Sequence, residues 1–347
     1  MLTPVAGRCF IAATKMPAPP NAVPADLLKD VSRSFYLTLR VLPAAIRPQI
    51  GLAYLLARTS DTVADTELVP IEQRLSALGN LRERIMGLSE APLNIGELAR
   101  RQGPPAERLL LEQCESSLAM LKVLSADDLQ RIREVLDTIV TGQAQDIRRF
   151  AGASAERVAA LQTDDELDAY TYSVAGCVGE FWTKICRAHL FPRAQLADAT
   201  LLENGIRFGK GLQLVNILRD LPADLRQGRC YLPADGLAGC SLRPAQLLEP
   251  ASEPLMRPLY NAWLDRAHSH LQAGWAYTNA LPRGSVRVRL ACSWPILIGI
   301  ETIKLLRTGP VLDPSRRIKV DRRKVRSIRL RSVLFYPWPA AWKKLAA

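Results

Sequence analysis

Residues 54–65 read YLLARTSDTVAD, and their spacing decides the fold class of this chain. The polar positions at i, i+4, i+7 and i+11 are Tyr54, Arg58, Asp61 and Asp65. At about 100° per residue these positions share one face of an α-helix. The residues between them are mostly apolar, so the helix is expected to be buried. The segment therefore predicts a buried helix with one polar stripe.

A second segment, residues 213–224, shows similar spacing. Its polar positions, at i, i+3, i+7 and i+11, are Gln213, Asn216, Asp220 and Asp224. Carboxylates on buried helices are unfavourable unless positive charge meets them. The two stripes therefore predict four carboxylates around a cation-binding cavity. Pro222 is expected to kink or end the second helix, which would make Asp224 the more mobile ligand.

The composition favours helices throughout. The chain has 347 residues, of which 48% are hydrophobic and only 6% aromatic, and Ala, Leu and Arg are abundant. Residues of this kind are helix formers, and strand-like alternation is scarce, so we predict an all-α fold. The seven cysteines are odd in number and form no CxxC pair, as expected for reduced thiols in a cytoplasmic protein.

We expect three regions along the chain: a flexible leader (1–23), a helical body (24–310) and a basic, aromatic-ended tail (311–347). The longest apolar run near the C-terminus, 294–300, is far shorter than the roughly 20 residues that span a bilayer. Residues 316–331 hold nine basic side chains and one acidic one, so two thirds of the formal net charge of +12 lies there.

The tail allows three interpretations. Its basic run is followed by Leu334, Phe335, Tyr336, Trp338 and Trp342. Basic residues beside aromatic ones suit the lipid headgroup interface, which predicts peripheral contact through residues 316–342 on the inner face of the membrane. Nucleic acid also binds basic runs, although we expect no nucleic-acid partner here. The third interpretation is a solvated or partly disordered tail.

The chemistry of the stripes points to phosphate. Carboxylates one helical turn apart suit Mg²⁺, which keeps water ligands and bridges protein carboxylates to substrate phosphates. Arg58, Arg219 and Arg229 lie beside the aspartates in the sequence and can bind phosphate oxygens in pairs. An apolar lining would shelter a hydrocarbon carbocation from water. These features predict metal-assisted release of diphosphate.

In combination, four segments resemble the squalene/phytoene synthase family. They are SRSFYLTLRVLP (32–43), YLLARTSDTVAD (54–65), YTYSVAGCVGE (170–180) and QLVNILRDLPADLRQGRCYLP (213–233). The resemblance covers about residues 24–310 and implies a head-to-head prenyl synthase domain. It implies an isoprenoid-synthase helical bundle around one central cavity. The first and last segments are more similar to bacterial squalene synthases than to phytoene synthases.

The resemblance also implies roles for individual residues. The Mg²⁺–diphosphate ligands would be Asp61, Asp65, Asn216, Asp220 and Asp224, with Mn²⁺ as a substitute ion. Substrate contacts would come from Ser32, Arg33, Ser34, Phe35, Tyr54, Arg58, Gln213, Asn216, Arg219 and Arg229. Tyr170 would be the catalytic tyrosine, a proton acceptor in the first half-reaction. From the residues alone, Tyr54 and Tyr170 are better explained as core aromatics whose hydroxyls have hydrogen-bond partners.

The function expected from this resemblance is that of a monomeric squalene synthase. It would join two farnesyl diphosphates through presqualene diphosphate and reduce the product with NADPH. One alternative is a non-reductive relative that makes dehydrosqualene, phytoene or presqualene diphosphate. Another is a non-catalytic protein that binds membrane surfaces. Because Gly209 and Gly211 form no dinucleotide fingerprint, NADPH is implied by the resemblance alone.

Overall fold

The computed structural model describes Leu27, Asp30, Val31 and residues 36–346. The expected leader and the candidate contacts Ser32, Arg33, Ser34 and Phe35 lie outside the described residues. Within the described part, the chain forms fifteen α-helices and one pair of two-residue strands. The all-α prediction is therefore confirmed.

The N-terminal third of the described chain is built on one long buried helix. The helices here are α1 (Tyr36–Val41), α2 (Arg47–Ala64), α3 (Ile71–Met86), α4 (Gly96–Arg100), α5 (Pro105–Glu112) and α6 (Cys114–Ala119). Helix α2 carries the first stripe and buries its apolar side, as the sequence predicts. Asp65 follows its last residue, and the Asp65 backbone N–H donates to the Asp61 carbonyl at 2.8 Å.

The middle of the chain supplies the longest helix. Its elements are α7 (Ala126–Arg149), β1 (Ala159–Ala160), α8 (Asp164–Thr171), α9 (Cys177–His189) and α10 (Asp198–Arg226). A π-helical segment, Tyr172–Gly176, joins α8 to α9. Side chains of Ser125 and Thr163 accept backbone N–H groups at the starts of α7 and α8. These caps fix where the two helices begin.

The C-terminal part contains β2 (Arg229–Cys230), α11 (Ala234–Gly239), α12 (Glu253–Ala280), α13 (Val286–Thr308), α14 (Arg322–Phe335) and α15 (Pro339–Lys343). The stretch rich in Gly, Pro and Arg that follows Pro222 thus contains regular structure, β2 and α11. Helix α10 packs along α12 and against α9 and α13. A Cβ at Gly209 would lie 2.1 Å from the Ala175 carbonyl oxygen, so this glycine serves close helix packing.

The predicted end of the second helix at Pro222 is wrong, because α10 continues to Arg226. Proline has no N–H, so the Leu218 carbonyl loses its normal helical donor. The hydroxyl of Tyr260, from α12, donates to that carbonyl at 2.8 Å instead. A neighbouring helix therefore satisfies the backbone, and Asp224 sits on regular helix rather than in a proline-broken turn.

The tail is helical rather than disordered, although most of its basic side chains are exposed to solvent. Trp342 is only 2% exposed and stacks on Trp275, with ring centroids 5.1 Å apart. The indole N–H of Trp294 donates to Ser332 Oγ at 2.9 Å, which ties α14 to α13. Across the residues that the structure describes, no helix is long and apolar enough to cross a bilayer. The six described cysteines are unpaired.

Candidate active site

A cavity of about 310 Å³, here called the central cavity, lies between α2, α7, α8, α10 and the segment around β2. Five predicted site residues line it: Asp61, Asp65, Tyr170, Gln213 and Arg229. The other polar lining residues are Arg74, Gln143, Asp146 and Tyr231. The apolar lining comes from Ala64, Ile71, Ile147, Phe150 and Val174. The structure thus joins carboxylates, guanidinium groups and an apolar wall in one cavity.

Of the two carboxylates in the first stripe, Asp61 has direct side-chain contacts with two neighbouring residues. Gln143 Nε2 donates to its Oδ1, and Arg58 Nη1 lies 3.8 Å from its Oδ2. Although 46% of its side-chain surface opens to the cavity, the carboxylate lies deep in the molecule. Burial, and then the nearby Asp65 charge, raise the pKa of Asp61 from 3.8 to about 7. Burial and the Asp65 charge together thus outweigh the stabilising effect of Arg58 and Gln143 on the charged carboxylate.

Two arginines approach this acidic end, and each is held by a glutamate. Arg58 Nη2 donates to Glu107 Oε1 at 2.7 Å. Arg229 Nη2 donates to Glu67 Oε1 at 3.0 Å. Burial raises the pKa of Asp65, and the positive charges of Arg229 and Arg58 oppose that rise. Both guanidinium groups therefore act on the same end of the cavity, although only Arg229 lines it.

The second stripe lies entirely on α10. Asn216 is exposed, and its Nδ2 donates to Gln213 Oε1 at 3.5 Å. Arg219 binds both oxygens of Asp220, at 2.9 and 2.5 Å. Burial, followed by the Asp220 charge, raises the pKa of Asp224 from 3.8 to about 7. Neither Asp220 nor Asp224 lines the central cavity, although the charges of Arg229 and Asp146, which do line it, act on Asp224.

A tyrosine pair and a further aspartate complete the polar lining of the central cavity. Tyr170 stacks on Tyr231 with ring centroids 4.7 Å apart. The Tyr231 hydroxyl donates to Asp146 Oδ2 at 2.9 Å. Burial, opposed by this hydrogen bond, raises the pKa of Asp146 from 3.8 to about 6. Burial, and then the Asp146 charge, also raise the pKa of Tyr170, so its phenol stays neutral.

The two short strands position Arg229 and Tyr231. Strand β1 pairs in parallel with β2, and Ala159 N–H donates to the Gly228 carbonyl at 2.8 Å. Gly228 has φ of 79°, a left-handed value that favours glycine. A Cβ there would lie 2.2 Å from the Ser154 backbone nitrogen. This turn therefore requires glycine and sets the direction in which Arg229 enters the cavity.

Sequence reasoning missed Gln143, Asp146 and Tyr231 as site residues. A signal was present, because Ile139, Gln143, Asp146 and Phe150 repeat the i, i+4, i+7, i+11 spacing on α7. That stripe has one carboxylate rather than two, so it carries little weight alone. Tyr54, which was predicted as a substrate contact, donates to the Val31 carbonyl at 3.4 Å and does not line the central cavity.

The donor set fits Mg²⁺ better than a softer metal, because the cavity ligands are carboxylate and amide oxygens. Two buried oxygens, Gln143 Oε1 and Asp146 Oδ1, have no hydrogen-bond donor. Among residues 36–346 and the three described residues before them, no three His, Cys, Asp or Glu side chains come together as one complete metal site. Ions held by one or two carboxylates plus water and phosphate match this arrangement.

The all-helical bundle is that of an isoprenoid-synthase fold. Residues 28–324 match the profile of the squalene/phytoene synthase family, and the chain belongs to that family. Its members are prenyltransferase-type enzymes of isoprenoid biosynthesis. The resemblance of the four sequence segments is therefore confirmed at the level of the family.

Individual relatives are distant. A bifunctional lycopene cyclase/phytoene synthase of Blakeslea trispora is 29% identical over 61% of this chain and 32% of its own length. The presqualene diphosphate synthase of Rhodopseudomonas palustris is 28% identical over 73% of this chain and 77% of its own. The solved complex of TcSQS with the ligand BPH1237 has a TM-score of 0.73 at 21% identity, covering 93% and 87% of the two chains. The chain spans a third to a half of the bifunctional relatives that it matches.

Proposed function

We propose that the protein is a squalene synthase that joins two farnesyl diphosphates head to head through presqualene diphosphate. The observation that carries the proposal is the central cavity, which is lined by Asp61, Asp65 and Arg229 together with Phe150 and Tyr170. Its charged lining suits a diphosphate with its cations, and its apolar lining suits a hydrocarbon. The catalytic domain would span residues 24–310 and act as a monomer in the cytoplasm.

The aspartates are the proposed ligands for Mg²⁺, with Mn²⁺ as a substitute. Asp61 and Asp65 would hold it on one side, and Asp220 and Asp224, with Asn216, on the other. When bound, the ion neutralises charge on the departing diphosphate. The raised pKa values of Asp61 and Asp224 support this assignment, since burial and a neighbouring aspartate disfavour each charged carboxylate more than the nearby arginines favour it.

The arginines are the proposed diphosphate contacts. Each is already paired with a carboxylate, Arg58 with Glu107, Arg229 with Glu67 and Arg219 with Asp220. These ion pairs hold long side chains in place before substrate arrives, which lowers the entropy lost on binding. A diphosphate can then accept paired N–H donors from the same guanidinium groups. Ser32, Arg33, Ser34 and Phe35 stay proposed contacts on sequence grounds.

The apolar lining of the central cavity would protect a carbocation intermediate from water. Ile147, Phe150 and Val174 line the cavity and exclude water from an allylic cation. The neutral ring of Tyr170 offers its π face to positive charge. Because Tyr170 is a neutral phenol, it accepts a proton at its oxygen only as its own hydroxyl proton leaves. Asp146, whose charge acts on Tyr170 and which Tyr231 holds by a hydrogen bond, is the proposed acceptor of that proton.

Reduction by NADPH is the part of the proposal that rests on sequence resemblance alone. Gly209 and Gly211 lie inside α10 and pack against Ala175 and His270 rather than around a dinucleotide. The alternative is an enzyme that stops at presqualene diphosphate, the product in the name of the Rhodopseudomonas palustris relative. A geranylgeranyl-type substrate, giving phytoene, is the other outcome within the family.

The deciding experiment is product identification. The protein is incubated with farnesyl diphosphate and Mg²⁺, with and without NADPH, and in parallel with geranylgeranyl diphosphate. Squalene that appears only with NADPH is expected. Presqualene diphosphate or dehydrosqualene under both conditions would support the non-reductive alternative. Formation of phytoene would identify geranylgeranyl diphosphate as the substrate.

Variants test whether the cavity performs the reaction. Asp61→Asn and Asp220→Asn are expected to abolish diphosphate release, whereas the exposed Asp165→Asn, a matched control, is expected to leave it unchanged. Near-normal turnover in the first two variants would contradict the proposal. It would favour a non-catalytic protein that binds membrane surfaces.

A further inference from the structure

Helix α14 has one face that fixes it to the body of the protein. Ile328 and Ser332 are buried on that face. Lys324 Nζ forms an ion pair with Glu301 Oε1 at 2.9 Å, and the Arg329 guanidinium lies over the Trp294 ring at 5.0 Å. Asp321 caps the helix by accepting from the Lys324 backbone N–H. Part of the basic run therefore serves to attach the helix.

The opposite face of α14 is apolar and exposed. Leu330, Val333 and Leu334 have 67%, 52% and 54% of their surface exposed, and Trp338, just past the helix, has 57%. At about 100° per residue, the three aliphatic residues point away from Ile328 and Ser332. These four residues are called the docking face. Large apolar side chains clustered in this way are typical of interaction sites.

Unpaired basic residues surround the docking face. Arg323 and Arg326 lie one to two turns before Leu330 on the same side of the helix, and Arg322 and Arg331 lie at its edges. Arg331 lies over the Phe335 ring at 5.7 Å. Among the described residues, no acidic side chain forms an ion pair with any of these four arginines. Positive charge and apolar surface thus occur together on one side.

We propose that the docking face binds an anionic lipid bilayer, with α14 lying in the plane of the interface. The leucines, Val333 and Trp338 enter the boundary between headgroups and acyl chains, and the arginines bind headgroup phosphates. Nucleic acid would leave the leucines in water, and a second copy would bring like charges together. The buried Trp342, expected from the sequence to share this contact, takes no part.

Vesicle flotation of the full-length protein tests the proposal. Binding is expected to phosphatidylcholine vesicles that contain phosphatidylglycerol, not to pure phosphatidylcholine, and to weaken with salt. Arg323→Gln with Arg326→Gln is expected to weaken binding about 25-fold, because each arginine near an anionic surface strengthens it roughly fivefold. Leu330→Ser with Leu334→Ser is expected to weaken it roughly tenfold or more, because apolar burial is lost. Matched controls are Arg193→Gln and Leu255→Ser, both at exposed sites elsewhere.

A depth measurement separates insertion from surface attraction. Brominated lipids are expected to quench Trp338 fluorescence, and the quenching is expected to disappear in Trp338→Phe. Docking variants that bind as tightly as the wild type would overturn the proposal. So would polynucleotide binding without vesicle binding, or a dimer that Leu330→Ser dissociates.

Discussion

The hydroxyl of Tyr260 donates a 2.8 Å hydrogen bond to the carbonyl of Leu218, the helical acceptor that Pro222 cannot serve. Tyr260 is fully buried on α12, so this bond crosses between two packed helices. Because proline normally ends or kinks a helix, the bond accounts for the unbroken course of α10. Asp224 follows Pro222 by two residues, so its position depends on this hydrogen bond.

Removing this hydroxyl is expected to destabilise the protein. Tyr260→Phe leaves the Leu218 carbonyl buried without a donor, which costs about 1–3 kcal/mol in the free energy of unfolding. Pro222→Ala restores a backbone N–H at that position. The double variant is therefore expected to recover part of the loss, with a coupling energy of about 1 kcal/mol. Urea unfolding of all four proteins in the cycle measures it.

The control for this cycle is Tyr277→Phe, whose hydroxyl lies 3.3 Å from Thr183 Oγ1, on another helix. Pro222→Ala is expected to rescue Tyr260→Phe and not Tyr277→Phe. Strictly additive effects in the first pair would show that the tyrosine and the proline act independently.

The acidic cavity predicts an unusual pH dependence of stability. In the folded state Asp61 and Asp224 have pKa values of about 7, against an ordinary value of 3.8. Between these limits the folded state holds protons that the unfolded state has released. The free energy of unfolding is therefore expected to fall as pH rises from about 4 to about 7. Thermal unfolding without divalent cations, across that range, checks the direction.

A substitution and the addition of ligand show which residues cause this pH dependence of stability. Asp61→Asn is expected to flatten the pH dependence, whereas the exposed Asp165→Asn is expected to keep it. Mg²⁺ added with inorganic diphosphate is expected to stabilise the protein most at the upper end of the range, where the carboxylates are charged. A slope that is equally steep in Asp61→Asn would place its origin elsewhere.

Periodicity predicted the helices that carry the site, because both stripes run through apolar sequence on α2 and α10. It could not predict the continuation past Pro222, since the compensating donor, Tyr260, lies 38 positions away in the chain. The folded tail was missed for a similar reason. Its aromatic residue Trp342 packs on Trp275, and a local pattern does not show such distant partners.

Only part of the candidate site could be predicted from the sequence. Paired aspartates one turn apart predicted the acidic end, and Tyr170 came from the resemblance to the family. Asp146 and Tyr231 were not predicted as site residues. Each is a single polar residue, and only the fold brings it to its hydrogen-bond partner, 85 positions away in the chain. A lone carboxylate on a helix is usually solvated, so only the hydrogen bond and the cavity give Asp146 a role.

Tyr231→Phe tests that role. The variant keeps the ring that stacks on Tyr170 and loses the hydroxyl that donates to Asp146 Oδ2. Because that bond favours the charged carboxylate, its loss is expected to raise the pKa of Asp146 above its present value of about 6. Ionised Asp146 is the proposed acceptor of the Tyr170 proton. The pH below which activity falls is therefore expected to rise by about one unit in the variant.

The measurement is product formation against pH, with Tyr172→Phe as the matched control. The Tyr172 hydroxyl donates to Glu180 Oε2 at 2.9 Å, outside the central cavity, so its removal is expected to leave the profile in place. Activity of Tyr231→Phe is expected to fall several-fold near pH 6 and to recover at higher pH, because a raised pKa leaves fewer ionised carboxylates at low pH. Because the variant keeps the stacked ring, a uniform loss at every pH would instead assign the Tyr231 hydroxyl a role other than setting the pKa of Asp146.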